Sequence, residues 1–192
     1  EKLELNIFRD NKEYSITFQD GNTTKPLKQI GKTKKTGTKI KFLPSKEIFS
    51  STKFSSNILQ KRVSLILKNK VKNKKISFLG VTFKANTDDM RDSSSLKLIP
   101  YLSRKGAQIK YYDPTGFKKE FGNLKNVKFS KSIQDSIKDS DLIIIHTEWN
   151  DFKSINFSKY SKNKNLIIYD MRNIFAPNKI NKMGFKYFGI GR

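Results

Sequence analysis

One short stretch of this sequence concentrates groups that could hold an anion. After the apolar run Ile76 to Leu79 and Gly80 comes Phe83-Lys-Ala-Asn-Thr-Asp-Asp-Met-Arg-Asp-Ser-Ser-Ser, which sets Lys84 and Arg91 among the hydrogen-bonding side chains of Asn86, Thr87 and the serines. Ligands of open α/β sheets bind outside the carboxyl ends of the strands, so cations just past a strand suit a phosphate or another anion. A plainer account fits the same residues: a solvated loop whose Asp92 or Ser93 caps the next helix. Other chemistry is excluded or unsupported. There is no cysteine, hence no disulfide, no thiolate metal site and no cysteine nucleophile. The one histidine, His146, ends an apolar run without a partner motif and reads as structural. Gly80 is followed by Val-Thr-Phe-Lys-Ala and not by further glycines, so this strand end is not built to hold a dinucleotide in the usual way. No catalytic residue and no metal site is assigned.

The elements that would position this loop follow from periodicity. From Lys75 onward, short apolar strands alternate with helical stretches: Ile76 to Leu79, a helix Ser93 to Lys105, Ile109 to Tyr112 closed by Asp113-Pro, a short helix Ser130 to Lys138, then Leu142 to Ile145 and Leu166 to Tyr169. Near-continuous apolar strands separated by helices predict a parallel sheet covered on both faces, a Rossmann-like α/β fold. The first part is patterned differently. Leu3 to Phe8 and Glu13 to Phe18 alternate around Arg9-Asp-Asn-Lys and predict an antiparallel hairpin, with a third strand at Thr38 to Leu43. Asp20-Gly-Asn and Lys32 to Gly37 read as turn and loop. A helical stripe over Ser55 to Asn69, capped by Ser55 or Ser56, links the two parts, and Lys68 to Lys75 reads as a polar connector. The fold class expected is thus α/β, a parallel sheet in the C-terminal two-thirds preceded by a small antiparallel fragment and a linking helix.

The net charge of +23 on 192 residues invites a nucleic-acid reading, but the excess is spread out. Residues 1 to 62 carry 14 basic and 6 acidic groups, net +8, which leaves +15 for the other 130 residues, a similar density. A general drift toward lysine is the simpler account, and nucleic acid is not the expected partner. No apolar run could span a bilayer and the N-terminus carries no secretory pattern, so a cytoplasmic protein is expected. Glu1 in place of a methionine fits a chain that starts inside a longer reading frame.

The motifs from Val63 on resemble a known family. Gly80-Val-Thr-Phe-Lys-Ala-Asn-Thr-Asp-Asp-Met-Arg-Asp-Ser-Ser, Lys105-Gly-Ala, Tyr112-Asp-Pro, Ser140-Asp-Leu, Thr147-Glu-Trp, Asp170-Met-Arg-Asn and the terminal Gly189-Ile-Gly-Arg occur in the order found in the C-terminal UDP-binding domain of UDP-glucose and GDP-mannose dehydrogenases. The resemblance implies that Phe83 and Lys84 contact the UDP part of a UDP-sugar, and that Arg172 pairs with its diphosphate, a task suited to a planar guanidinium. It implies that Arg91 reaches the nicotinamide of NAD held by another domain, and that the protein forms a homodimer. Thr147-Glu-Trp stays open between a wall of the uracil pocket and, for Trp149, simple packing. Enzymes of this family oxidise UDP-glucose to UDP-glucuronate by two hydride transfers to NAD through a cysteine nucleophile. With no cysteine and no glycine fingerprint, this chain is expected to be a truncated UDP-sugar-binding part, inactive alone.

Residues 1 to 62 resemble something else. Leu3-Glu-Leu-Asn-Ile-Phe-Arg-Asp-Asn-Lys, Gly31-Lys-Thr-Lys-Lys-Thr-Gly-Thr-Lys-Ile-Lys-Phe-Leu-Pro and Phe54-Ser-Ser-Asn-Ile-Leu-Gln-Lys-Arg are similar to the later part of the ATPase domain of DNA gyrase B, the ATP-dependent component of a type II topoisomerase. There Thr38 would face adenine; otherwise Thr36-Gly-Thr merely starts a strand. Two domains are therefore expected, 1 to 62 and 63 to 192, as a fusion of two truncated frames. The alternative function is a gyrase fragment or a nucleic-acid-associated module.

Overall fold

The computed structural model describes residues 1–48, 57–163 and 165–191. Two compact units result, Glu1–Ser55 and Ser56–Arg192.

The first unit is a four-stranded antiparallel sheet of β1 (Lys2–Arg9), β2 (Lys12–Gln19), β3 (Asn22–Lys32) and β4 (Gly37–Leu43), in the order β3-β2-β1-β4. The expected hairpin forms because Asp10 and Asn11 both take positive φ, 53° and 56°, the two-residue turn whose twist suits antiparallel strands. Asp20 and Gly21 repeat the device at the next corner. That second turn explains β3, a strand that sequence pattern alone does not reveal. β3 lacks alternation, carries Pro26, and pairs with β2 through register shifts, as an edge strand can. Thr38 pairs with Ile7 inside β4.

The second unit is built on a six-stranded parallel sheet, as the βα alternation requires. In chain order its elements are α1 (Asn57–Ile66), β5 (Lys75–Leu79), α2 (Ser95–Arg104), β6 (Gln108–Tyr112), β7 (Val127–Phe129), α3 (Ile133–Ile137), β8 (Leu142–Ile145), α4 (Phe157–Tyr160), β9 (Ile167–Asp170), α5 (Pro177–Lys182) and β10 (Lys186–Gly189). The strand order is β10-β9-β8-β5-β6-β7. Side chains alternate between two cores: Leu142 and Ile144 pack with Phe78 and α2, while Ile143 and Ile145 pack with Leu79 and Phe152. All four residues of β8 are fully buried, each contributing on the order of 2 kcal/mol. The chain leaves the central β5–β8 pair in opposite directions, which makes that pair the topological switch point.

Several details differ from the expectations set by the sequence. Lys68 to Lys75 is part of the unit and no free connector: Val71 is buried, Asn73 donates its backbone N–H to Gly106, and Lys74 pairs with Asp141 at 3.3 Å. Positive φ at Lys68 and Asn69 ends α1 before the expected Asn69. Val63 and Ile66 fix α1 in the core, so the structural division falls ahead of this helix, whereas the two sequence resemblances meet inside it. The expected caps Ser55 and Ser56 lie outside the described residues. Among the described residues no helix is long and apolar enough to cross a membrane.

Candidate functional site

The carboxyl ends of β5, β8 and β9 lie side by side, Leu79 beside Ile145 and Ile145 beside Asp170. The loops that follow them therefore share one edge of the sheet. Arg172 ties all three together. Its Nε donates to the His146 carbonyl at 2.7 Å and its Nη2 to the Phe83 carbonyl at 3.2 Å, with Glu148 Oε2 3.0 Å from Nε. Of the five N–H groups on a guanidinium, these contacts use the Nε and Nη2 edge and leave the Nη1 edge for a ligand. Buried Asp170 fixes the turn: it accepts from the Arg172 backbone N–H with one oxygen, and from Phe175 N–H and the Tyr187 hydroxyl with the other. Asn173, in the left-handed region, exchanges two hydrogen bonds with Ile190, so the terminal Gly189-Ile-Gly segment is clipped to this corner.

The turn after β5 is shaped by two close approaches. Gly80 has φ +75°, and a Cβ there would lie 2.5 Å from the Thr147 Cβ, so the loops after β5 and β8 touch only because this residue has no side chain. Asp113 is buried, and its carboxylate accepts from the backbone N–H groups of Val81, at 2.8 Å, and Thr82, at 3.4 Å. Those N–H groups would face a pyrophosphate in a dinucleotide-binding turn. Here the carboxylate fills that cradle, so NAD does not fit the first turn of this sheet.

Behind the crevice lies a network that no sequence motif announces. Thr147 Oγ1 donates its only proton to the Thr82 carbonyl at 2.9 Å, so it must accept from His146 Nδ1, 3.1 Å away. His146 Nε2 is then unprotonated and accepts from the Ser94 hydroxyl at 2.8 Å. Burial, and secondarily the positive charge of Arg172, lowers the His146 pKa to about 4, which keeps the ring neutral beside the guanidinium. Ser93 and Ser95 both donate to the Val81 carbonyl at 2.6 Å, and Ser93 Oγ accepts from the Ser95 backbone N–H. The serine cluster thus pins the start of α2 to the loops after β5 and β8; the N-cap position is Ser94, whose side chain makes no capping bond, so the cap expected at Ser93 does not form. Asp92, the other cap candidate, has positive φ.

The structure sets Arg172 beside the loop that carries Phe83 and Lys84. Phe83 is half exposed, Lys84 is exposed, and Arg172 bonds the Phe83 carbonyl. Arg91 is not joined to them. Its guanidinium is almost wholly exposed and grips Asp89 through Nε and Nη2, 2.7 Å at closest, which pulls the Asp89 carboxyl down to about 2. Trp149 is buried, and its indole N–H has no partner among the described residues.

The sequence profile of the UDP-glucose/GDP-mannose dehydrogenase family, UDP binding domain, matches residues 77–177, more than half of the chain. The chain belongs to this family. Its relatives include the UDP-glucose 6-dehydrogenase of Rickettsia conorii, 35% identical over 149 residues, a match covering 76% of this chain and 34% of that protein. Another is the UDP-glucose 6-dehydrogenase of Rhizobium meliloti, 35% identical over 123 residues, covering 64% of this chain and 28% of that protein. Among solved structures, an NDP-N-acetyl-D-galactosaminuronic acid dehydrogenase from Methanosarcina mazei superposes with a TM-score of 0.59 at 25% identity, over 71% of this chain and 28% of that one. The UDP-D-ManNAc dehydrogenase of Pyrococcus horikoshii gives 0.53 at 28% identity, over 71% and 30%. The chain spans about a third of the length of the curated relatives it matches. A match covering 76% of 192 residues includes α1 wherever it is placed, so it reaches ahead of Val63.

Proposed function

We propose that the second unit binds the UDP part of a UDP-sugar through Phe83, Lys84 and Arg172. The observation that carries this is Arg172 itself, which spans the loops after β5, β8 and β9 with Nε and Nη2 held by two protein carbonyls and Glu148, while these contacts leave Nη1 unused. The exposed ring of Phe83 offers a stacking face and Lys84 a second cation. On this reading the chain is the UDP-binding part of an NAD-dependent enzyme that oxidises UDP-glucose to UDP-glucuronate in the cytoplasm. NAD would sit on another domain within reach of Arg91, and a homodimer would be the working form. Without a thiol nucleophile the chain alone binds and does not oxidise.

The test is a UDP titration followed by NMR on the wild-type chain, on Arg172→Ala and on Lys182→Ala. Lys182→Ala removes the same charge from the last turn of α5, which leads into the amino end of β10. Hydrogen bonds to charged groups contribute roughly 1.5 to 3 kcal/mol, so Arg172→Ala weakens UDP binding about tenfold or more, and Lys182→Ala leaves it nearly unchanged. Equal weakening in both would reduce the effect to attraction between a basic chain and an anion. For the first unit, the proposal remains a fragment of the DNA gyrase B ATPase domain, resting on its sequence motifs and tested by titrating ATP into the same sample while following the amide signals of β1 to β4 in NMR, which separate it from ATP held by the second unit.

A further inference from the structure

The opposite end of the second unit's sheet holds a cavity that UDP binding does not use. It has a volume of about 540 Å³ and lies at the amino ends of β5 and β6, beside β7 and the segment joining α3 to β8. Pockets of this size hold small molecules. Five of its eleven lining residues are lysines, namely Lys75, Lys110, Lys125, Lys128 and Lys138, whereas lysine makes up 34 of the chain's 192 residues. The concentration of positive charge therefore exceeds the general lysine drift. Asp139 is the one carboxylate in the lining. Among the described residues, only Lys110 of the five has an ion pair, to Asp135 at 2.9 Å.

Like charges facing one cavity raise each other's energy, and the fold tolerates this at the rim of its most buried strands. A single phosphate could meet two or three of these ammonium groups. A chain of linked phosphates could meet most of them at once, and lysine's compact charge on a flexible stem suits such a ligand. We propose that this cavity is a second anion site, one that takes a chain of linked phosphates, either inorganic triphosphate or the triphosphate of a nucleotide. It is separate from the crevice at Arg172, being at the other end of the strands.

Calorimetric titration of the full chain with sodium triphosphate, orthophosphate and ATP tests this at about 0.15 M salt, where the Debye length is ~8 Å. Triphosphate is expected to bind saturably, about tenfold or more tighter than orthophosphate, and to remain bound when UDP is present in excess. Lys128→Ala with Lys138→Ala should weaken it about tenfold, while Lys179→Ala with Lys182→Ala, an equal loss of charge on α5, should change it less than about twofold. ATP binding tighter than triphosphate and weakened by the Lys128→Ala, Lys138→Ala pair would assign the site to a nucleotide, and equal binding would assign it to the phosphate chain alone. Failure to saturate, preference for long nucleic acid over triphosphate, or equal loss in both double variants would overturn the proposal. Displacement of triphosphate by UDP in the wild-type chain would also overturn it, without depending on any variant; loss of UDP binding alone would instead count against the Arg172 crevice.

Discussion

The two sheets of this chain separate what a strand's pattern secures from what its surroundings secure. In the first unit, β1 sets Leu3, Leu5 and Ile7 on one face, and the register places Phe18, Ile16 and Tyr14 of β2 and Phe42 and Ile40 of β4 beside them. Alternation with period two has fixed pairing and register. Yet Ile40 and Phe42 remain 64% and 52% exposed. In the second unit every residue from Leu142 to Ile145 is fully buried, because helices and loops cover both faces. Backbone pairing comes from pattern, whereas most of the stability comes from the second layer.

Matched truncations put this contrast to the test. Ile144→Ala should destabilise the second unit by about 4 kcal/mol, through lost burial plus the cavity left behind. Ile40→Ala, on the exposed face of β4, should cost the first unit less than about 0.5 kcal/mol. Urea unfolding followed by fluorescence of Trp149, the chain's one tryptophan, reports on the second unit, and strand amide signals in NMR report on the first. Comparable losses would mean that the first sheet has a covering layer in solution. A smaller effect is expected of Gly80→Ala, about 3 kcal/mol, because a methyl group at φ +75° is strained and must push Thr147 aside. Gly21→Ala also has positive φ, at +83°, but meets nothing within 4 Å, so it should cost only about 1 kcal/mol of backbone strain.

The same contrast governs what could be read from the sequence. β5, β8 and β9 are legible because parallel strands buried on both faces are runs of apolar residues, and their adjacency sets the loops that carry Lys84 and Arg172 along one edge of the sheet. β7 and β10 are not, because lysine interrupts the one and opens the other, which leaves no unbroken apolar run like that of β8. β3 is set by its turn and not by its pattern. Arg91 looked available because its sequence neighbourhood is polar, but no spacing rule shows that its guanidinium folds back on Asp89, two residues away. The role of His146 was hidden for the opposite reason. Its partner Ser94 lies 52 residues earlier and arrives only when β5 and β8 become neighbours. The available signals were a lone histidine followed by threonine at the end of a fully apolar strand, and three consecutive serines at a helix start with only one needed as a cap.

The last expected effect concerns that histidine and distinguishes the units by pH. In the unfolded chain His146 takes a proton near its ordinary 6.5, whereas in the fold burial delays protonation until about pH 4. Between those values the unfolded state binds more protons, so stability contributed by the neutral ring is full above about 6.5 and is lost as pH falls toward 4. A displacement of this size corresponds to roughly 2 to 3 kcal/mol at the low end of the window. The first unit contains no histidine, and its perturbed carboxylates, Glu4 and Asp20, are lowered by Lys2 and the N-terminal amine respectively. Their contribution is complete above the ordinary carboxylate values and is lost as pH falls through them, so the first unit should hold nearly constant stability from pH 6.5 to about 5.5. Denaturation of the second unit at several pH values should show a slope in that window which His146→Gln removes, even though the variant is less stable throughout. With a single histidine in the sequence, its ring signal in NMR is unambiguous. A midpoint near 6.5, or equal slopes in wild type and variant, would show that Ser94 and Thr147 do not hold a buried neutral ring between them, and that the start of α2 is pinned by Ser93 and Ser95 alone.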